Sequence, residues 1–285
     1  MTTASMPWLI VGYGRVGKTL GLMADALQAQ VTLTWSRSSP RHAKPLGGSV
    51  CPHLTGPPSH KLIPVLKGLS EPHLVWLPVA DEAIVVLFEA IKEAIPAGSL
   101  VVHTSGSLSS EILDTGKTHL RASLHPLQAI TSPTRAFSRI AECTWTIEGD
   151  EEALLFLTSL VAPLGIRPIP IDSKKKILYH AAAVTSANLL VSLMDAAIQM
   201  AQSAGIEEVD ARNMLTALAA SSVENLKEEP PGAALSGPVA RGDEATIKAH
   251  RQALQDLEDK ELLPLYDLLT DRARGLIKSA KKESL

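Results

Sequence analysis

The chain has 285 residues, 45% of them hydrophobic, which is enough for two domains with real cores and implies a compact soluble protein. A net charge of -3 argues against a general nucleic-acid or membrane-surface binder, and the run Lys174-Lys175-Lys176 is too short to change that. Cys51 and Cys143 lie far apart without metal-ligand or redox spacing, so no metal site is expected, and buried free thiols in a reducing compartment are the default.

The first residues lack the basic stretch and long apolar region of a signal peptide, so a cytoplasmic location is expected. Trp8 to Val11 reads as a strand running directly into Gly12-Tyr13-Gly14-Arg15-Val16-Gly17 and then into a helical pattern ending near Leu27. Gly-x-Gly-x-x-Gly in that context reads as a dinucleotide site. The first glycine permits the tight turn, the second lets a pyrophosphate approach the backbone, and the third lets helix and strand pack closely. The helix N-terminus then faces the phosphates with free N–H groups and a positive dipole end.

The next strand, Val31 to Trp35, ends in Ser36-Arg37-Ser38-Ser39, where an NAD enzyme would place an acidic residue for the ribose 2′-hydroxyl. A carboxylate repels a 2′-phosphate, whereas a guanidinium binds it bidentately and hydroxyls donate to it. Ser36, Arg37 and Ser38 therefore predict NADP(H) rather than NAD(H).

Arg41 to Ser70 is rich in proline, glycine and histidine and reads as irregular, with one short strand near Gly48 to Cys51. A buried strand at His73 to Val79, a helix from Asp81 to Ile95 and a strand at Leu100 to Thr104 follow. This alternation implies an α/β fold with a doubly wound, mostly parallel Rossmann-type sheet, whose ligands bind outside the carboxyl ends of the strands. The loops at Pro78-Val79 and Ser105-Gly106 are thus placed at the nicotinamide end. Arg121 to Pro126, Thr144 to Ile147, a helix from Glu151 to Leu164 and a short strand at Ile166 to Ile171 complete the domain.

From Asp172 onward only helical periodicity remains, so the expected division is residues 1-171, binding the dinucleotide, and residues 172-285, all-helical. Asp172 or Ser173 caps a helix predicted from Lys174 to Ala204, about 45 Å long. Asn188, Ser192, Asp195, Gln199 and Gln202 fall on one stripe of it. Polar side chains including His180, Asn188 and Asp195 argue against a membrane span at Ile177 to Ile206 and for a buried helix of a soluble protein. Helices near Val209 to Leu226, Glu244 to Glu258 and Glu261 to Ala280 follow, with a loop carrying Ser236-Gly237-Pro238-Val239-Ala240-Arg241-Gly242-Asp243 between the first two.

The fingerprint, Leu124-His125-Pro126-Leu127, the segment from Lys176 through Tyr179-His180 to Ala183, Asn188, and Leu235 to Asp243 together resemble a bacterial family pairing a Rossmann-like domain with a helical domain of unknown function. The fold is in turn similar to the 6-phosphogluconate dehydrogenase-like group, which includes β-hydroxyacid dehydrogenases, ketopantoate reductase and pyrroline-5-carboxylate reductase. The resemblance implies an NADP-dependent oxidoreductase that dimerises through its helical domains. One departure stands out. Where β-hydroxyacid dehydrogenases carry a catalytic lysine one turn before an asparagine, counting back from Asn188 reaches Val184, and Lys176 lies three turns before Asn188.

Carbonyl reduction still needs a proton donor, and His180 is the local candidate because imidazole titrates near neutral pH. His125 falls on the cofactor edge of the sheet; Asn188 would orient the substrate or a water, and Arg241 would clamp a carboxylate. Each has a plainer reading: a core histidine, a loop brace, a solvated stripe, or an internal Arg241-Asp243 pair with Asp243 as a helix cap. His42, His53, His60, His73, His103 and His119 show no ligand-like spacing. The expected function is hydride transfer between NADP(H) and a small polar, acidic carbonyl or imine substrate in a cleft between the domains. The alternative is a non-catalytic NADP(H)-binding sensor, supported by the missing lysine.

Overall fold

The computed structural model describes residues 6–38 and 51–283, so the strand expected from Gly48 lies almost wholly outside the described residues. Contacts divide the chain into two compact units, Met1–Val184 and Thr185–Leu285. In the first, β1 (Trp8–Val11), α1 (Arg15–Ala26) and β2 (Val31–Ser36) appear where the sequence places them. β3 (His53–Thr55) and α2 (Ile63–Leu66) follow, then β4 (Leu74–Leu77), α3 (Asp81–Ile91), β5 (Leu100–His103), β6 (Leu120–Pro126), α4 (Pro133–Ser138), β7 (Trp145–Gly149), α5 (Glu151–Val161) and β8 (Ile169–Pro170).

These strands form one sheet in the order β3-β2-β1-β4-β5-β6-β7-β8. All neighbours pair parallel except β6 and β7, which are antiparallel. Chain order reverses beside β1, between β2 and β4, which opens a crevice at the carboxyl ends of those strands. Both faces are covered, as a parallel sheet requires. Trp8 and Ile10 join Trp76, Val102 and Leu124 beneath α1 and α5 residues such as Leu20, Met23 and Leu157. Leu9 and Val11 join Val75, Leu77 and Val101 on the opposite face, against Ile84, Phe88 and Ile91 of α3. Residues alternating along each strand thus feed two cores.

Asp172 accepts from the Lys174 amide at 2.9 Å and starts the turn that leads into α6 (Lys176–Ser203). The second unit continues with α7 (Glu208–Glu228), α8 (Pro231–Ala234), α9 (Gly237–Arg241), α10 (Glu244–Gln255) and α11 (Leu262–Glu283). Its small core gathers Ala196, Leu254 and Leu262, with Met200 and Tyr266 against them.

Two expectations are corrected. α6 is not a buried helix: Ile177, Leu178, Leu189 and Val191 are 54–70% exposed, because none of them joins an apolar core of the described residues. The span Ser173–Ser203 is long and apolar enough to cross a membrane by length and composition alone. Cys51 and Cys143 are free, as expected, but half-buried rather than buried.

Candidate functional site

The three fingerprint glycines meet three different demands. Gly12 has φ +134°, and a Cβ there would lie 2.6 Å from Val79 Cγ1 and 2.9 Å from the Pro78 carbonyl oxygen. Pro78 and Val79 therefore close the back of the turn. A Cβ on Gly17 would lie 2.1 Å from the Gly12 carbonyl oxygen, so only glycine lets α1 pack this closely. At Gly14 a Cβ would meet nothing within 4 Å. That open side is where a pyrophosphate would approach. No side chain caps α1, and its first turn, holding Arg15 and Val16, contains no acid that would repel an anion. Tyr13 belongs to the frame: its side chain is buried and its amide donates to the Trp35 carbonyl at 3.0 Å.

At the end of β2, Ser36 donates to the Ser38 carbonyl at 2.8 Å across the exposed Arg37. β3 brings His53 alongside, its Nε2 3.2 Å from Ser36 Oγ. Sequence spacing left His53 unassigned.

The loop after β5 is braced from several sides. His103 is fully buried, and its Nδ1 accepts from the Ser105 amide at 3.2 Å. Burial, and then the nearby Lys176 charge, push His103 down to about 3. Ser105 Oγ accepts from the amides of Ser107 and Leu108 at 3.1 and 3.0 Å, and Ser107 donates to Asp81 Oδ2 at 2.5 Å. Gly106, at the apex, faces two imidazoles. A Cβ there would sit 2.6 Å from His180 Nδ1 and 2.8 Å from His125 Nε2.

His125 and His180, proposed separately from sequence, thus meet, with ring centroids 6.2 Å apart. His125 Nδ1 lies 2.9 Å from the Tyr179 hydroxyl. Burial, then Lys176 and then His180, push His125 down to about 4, while burial raises Tyr179. His180 Nδ1 is buried with no hydrogen-bond partner among the described residues.

Beneath this pair, Lys176 is 1% exposed; its Nζ donates to Ser123 Oγ and, at 2.9 Å, to Glu148 Oε1. Glu148 also accepts from the Ser110 amide and hydroxyl at 2.9 and 2.8 Å. Burial lowers the Lys176 ammonium against the pull of Glu148. Lys176, Tyr179 and His180 were overlooked as a set, although their i, i+3, i+4 spacing puts them on one helix face. Ser123 and His125, two apart on β6, likewise share a face.

Asn188 and Arg241 belong to the second unit, and both are exposed. Asp243 caps α10, its Oδ1 accepting from the Thr246 amide at 3.1 Å and its Oδ2 from the Thr246 hydroxyl at 2.7 Å, as its plainer reading held. No group of three or more His, Cys, Asp or Glu able to hold a metal occurs among the described residues.

Residues 143–273 match the family model described as Domain of unknown function (DUF2520). No curated protein matches the chain. Protein TM1727 from Thermotoga maritima is 23% identical, with a TM-score of 0.72 over 96% of this chain and 99% of that one. BF3122 from Bacteroides fragilis, which carries a provisional description as an NADP oxidoreductase, is 21% identical, with a TM-score of 0.73 over 96% and 100% of the two chains. Pyrroline carboxylate reductase from Plasmodium falciparum, solved with NADP bound, is 9% identical at a TM-score of 0.59 over 95% and 98%. The chain shares their fold. The likeness to the pyrroline carboxylate reductase group expected from the motifs therefore holds at the level of architecture.

Proposed function

We propose that the chain is an NADP(H)-dependent oxidoreductase acting on a small polar, acidic carbonyl or imine compound. The observation that carries this reading is the glycine set: Gly12 closed by Val79 and the Pro78 carbonyl, Gly17 closed by the Gly12 carbonyl, and Gly14 open at an uncapped helix start. Structural neighbours named as NADP oxidoreductase and pyrroline carboxylate reductase support the class. In the turn Ser36-Arg37-Ser38 the exposed guanidinium of Arg37 fits a 2′-phosphate better than a bare ribose hydroxyl.

NADP(H) would supply or take up the hydride; the chain would position the substrate and handle the proton. His180 Nδ1, lacking a protein partner at the Gly106 apex, is the proton-handling atom in this reading. An unsatisfied buried nitrogen costs about 1–3 kcal/mol, a cost that a substrate oxygen or nitrogen would remove. His125 stays neutral beside it and supports the ring cluster. Asn188 as substrate-orienting group and Arg241 as carboxylate anchor remain proposals from the sequence.

The experiment is NADPH oxidation across keto acids, hydroxy acids with NADP, and cyclic imines. With a substrate in hand, His180→Asn is expected to lower kcat at least 100-fold while NADPH affinity stays within about threefold. Turnover that survives the substitution removes His180 from the mechanism. A non-catalytic NADP(H) sensor is the second reading, favoured by the burial of Lys176 in an ion pair, away from any catalytic use. Tight NADPH binding without turnover across the panel would favour it.

A homodimer in the cytoplasm is the proposed assembly. Leu189 and Val191 on α6 and Val209, Met214 and Leu218 on α7 are all more than half exposed in the single chain, and apolar surface of this kind marks an interface.

A further inference from the structure

His53 stands beside the end of β2, in register with Thr34, and Thr55 with Ser36. Its Nδ1 lies 2.8 Å from Thr34 Oγ1 and its Nε2 3.2 Å from Ser36 Oγ, while its ring leans on Tyr13 at 5.5 Å. A hydroxyl carries one proton, and that of Ser36 goes to the Ser38 carbonyl. The Ser36 oxygen therefore accepts from His53, and Nε2 bears the hydrogen. With that hydrogen on Nε2, Nδ1 faces Thr34 Oγ1 at 2.8 Å as the acceptor, and burial, then the Lys18 ammonium, lower His53 in the direction that favours this neutral ring. A directed chain results, from Thr34 through His53 and Ser36 to the Ser38 carbonyl, with Arg37 at the centre of the turn it fixes.

We infer that His53 is a positioning residue for cofactor choice, holding the Ser36-Arg37-Ser38 turn in the form that receives the 2′-phosphate of NADP(H). The inference rests on reading this edge as the adenosine-ribose site. Because the Ser36 hydrogen is already donated and its oxygen already accepts, the side chain offers little to a ribose 2′-hydroxyl. Selection falls to the guanidinium of Arg37 on a phosphate dianion.

The test is calorimetric affinity of the full chain for NADPH and NADH, in the parent, His53→Leu and His53→Gln. Leucine removes the donor, whereas the glutamine amide places an N–H near the Nε2 position. His53→Leu is expected to weaken NADPH about tenfold, or about 1.4 kcal/mol, and to leave NADH within about twofold. His53→Gln is expected to keep most of the preference. Equal loss for both nucleotides, or an unchanged NADPH-to-NADH ratio in His53→Leu, overturns the inference and leaves the cofactor reading standing. A parent that binds neither nucleotide overturns the cofactor reading itself. Nitrogen NMR of the ring in the parent checks the same point without any variant: hydrogen on Nε2 is expected, and hydrogen on Nδ1 alone would overturn the inference.

Discussion

His103 Nδ1 uses its lone pair to accept from the Ser105 amide, so protonating that nitrogen breaks the bond that shapes the Ser105-Gly106-Ser107 loop. Burial holds His103 near 3 and His125 near 4, both below the ordinary value of 6.5. The unfolded chain binds these protons first as pH falls. Stability is therefore full above about 6.5 and is lost progressively on acidification toward the folded values. Between pH 7.5 and 5, His103 alone is expected to remove about 2 kcal/mol. Urea unfolding at the two pH values checks this, and His103→Gln should lose correspondingly less between them. Equal losses in parent and variant would show that folding does not hold His103 below its ordinary value. Gly106 marks how closely this site is built, since even one methyl there meets both His125 and His180.

At the scale of elements, α6 is fastened to the sheet by a charge. Lys176 reaches Ser123 on β6 and Glu148 on β7, and Glu148 in turn holds Ser110 in the loop beyond β5. Lys176→Met would leave a buried carboxylate without a counter-ion, costing about 3–5 kcal/mol in urea unfolding. Adding Glu148→Gln keeps an acceptor for Ser110 while removing the charge, so the double variant should recover most of that loss. A double variant no more stable than the single one would show that Lys176 contributes by packing. Elements with a local pattern were legible in the sequence: β1 to β2, α3, α5 and the capped start of α6. β3 and α4 were not, because elements of three and six residues are too short to show a periodicity. Nor was the antiparallel turn of β7, which tertiary pairing decides. The fingerprint was readable because its three glycines act within one turn. The cluster of Lys176, Glu148, Ser123 and Tyr179 was not, because its members come from three elements and meet only after folding.

For the whole molecule, the exposed apolar faces of α6 and α7 carry the proposed assembly. Light scattering should give twice the chain mass of 30.3 kDa, and Leu189→Glu with Val191→Glu should reduce it to one. A monomeric parent would contradict the dimer. The sequence read the spans of α6 and α7, but it took the stretch holding the short helices α8 and α9 as a loop and α6 as buried within one chain, since periodicity shows an apolar face without saying what covers it. Architecture, loop and edge charge converge on one central claim, that backbone at the start of the chain cradles a dinucleotide phosphate. Calorimetry with NADPH on the parent and Gly14→Ala tests it most directly, because a Cβ at Gly14 disturbs no neighbouring atom of the protein. The expected result is micromolar or tighter binding by the parent, and at least tenfold weaker binding by Gly14→Ala with an unchanged melting temperature; no binding by the parent, or equal affinities, would contradict the claim.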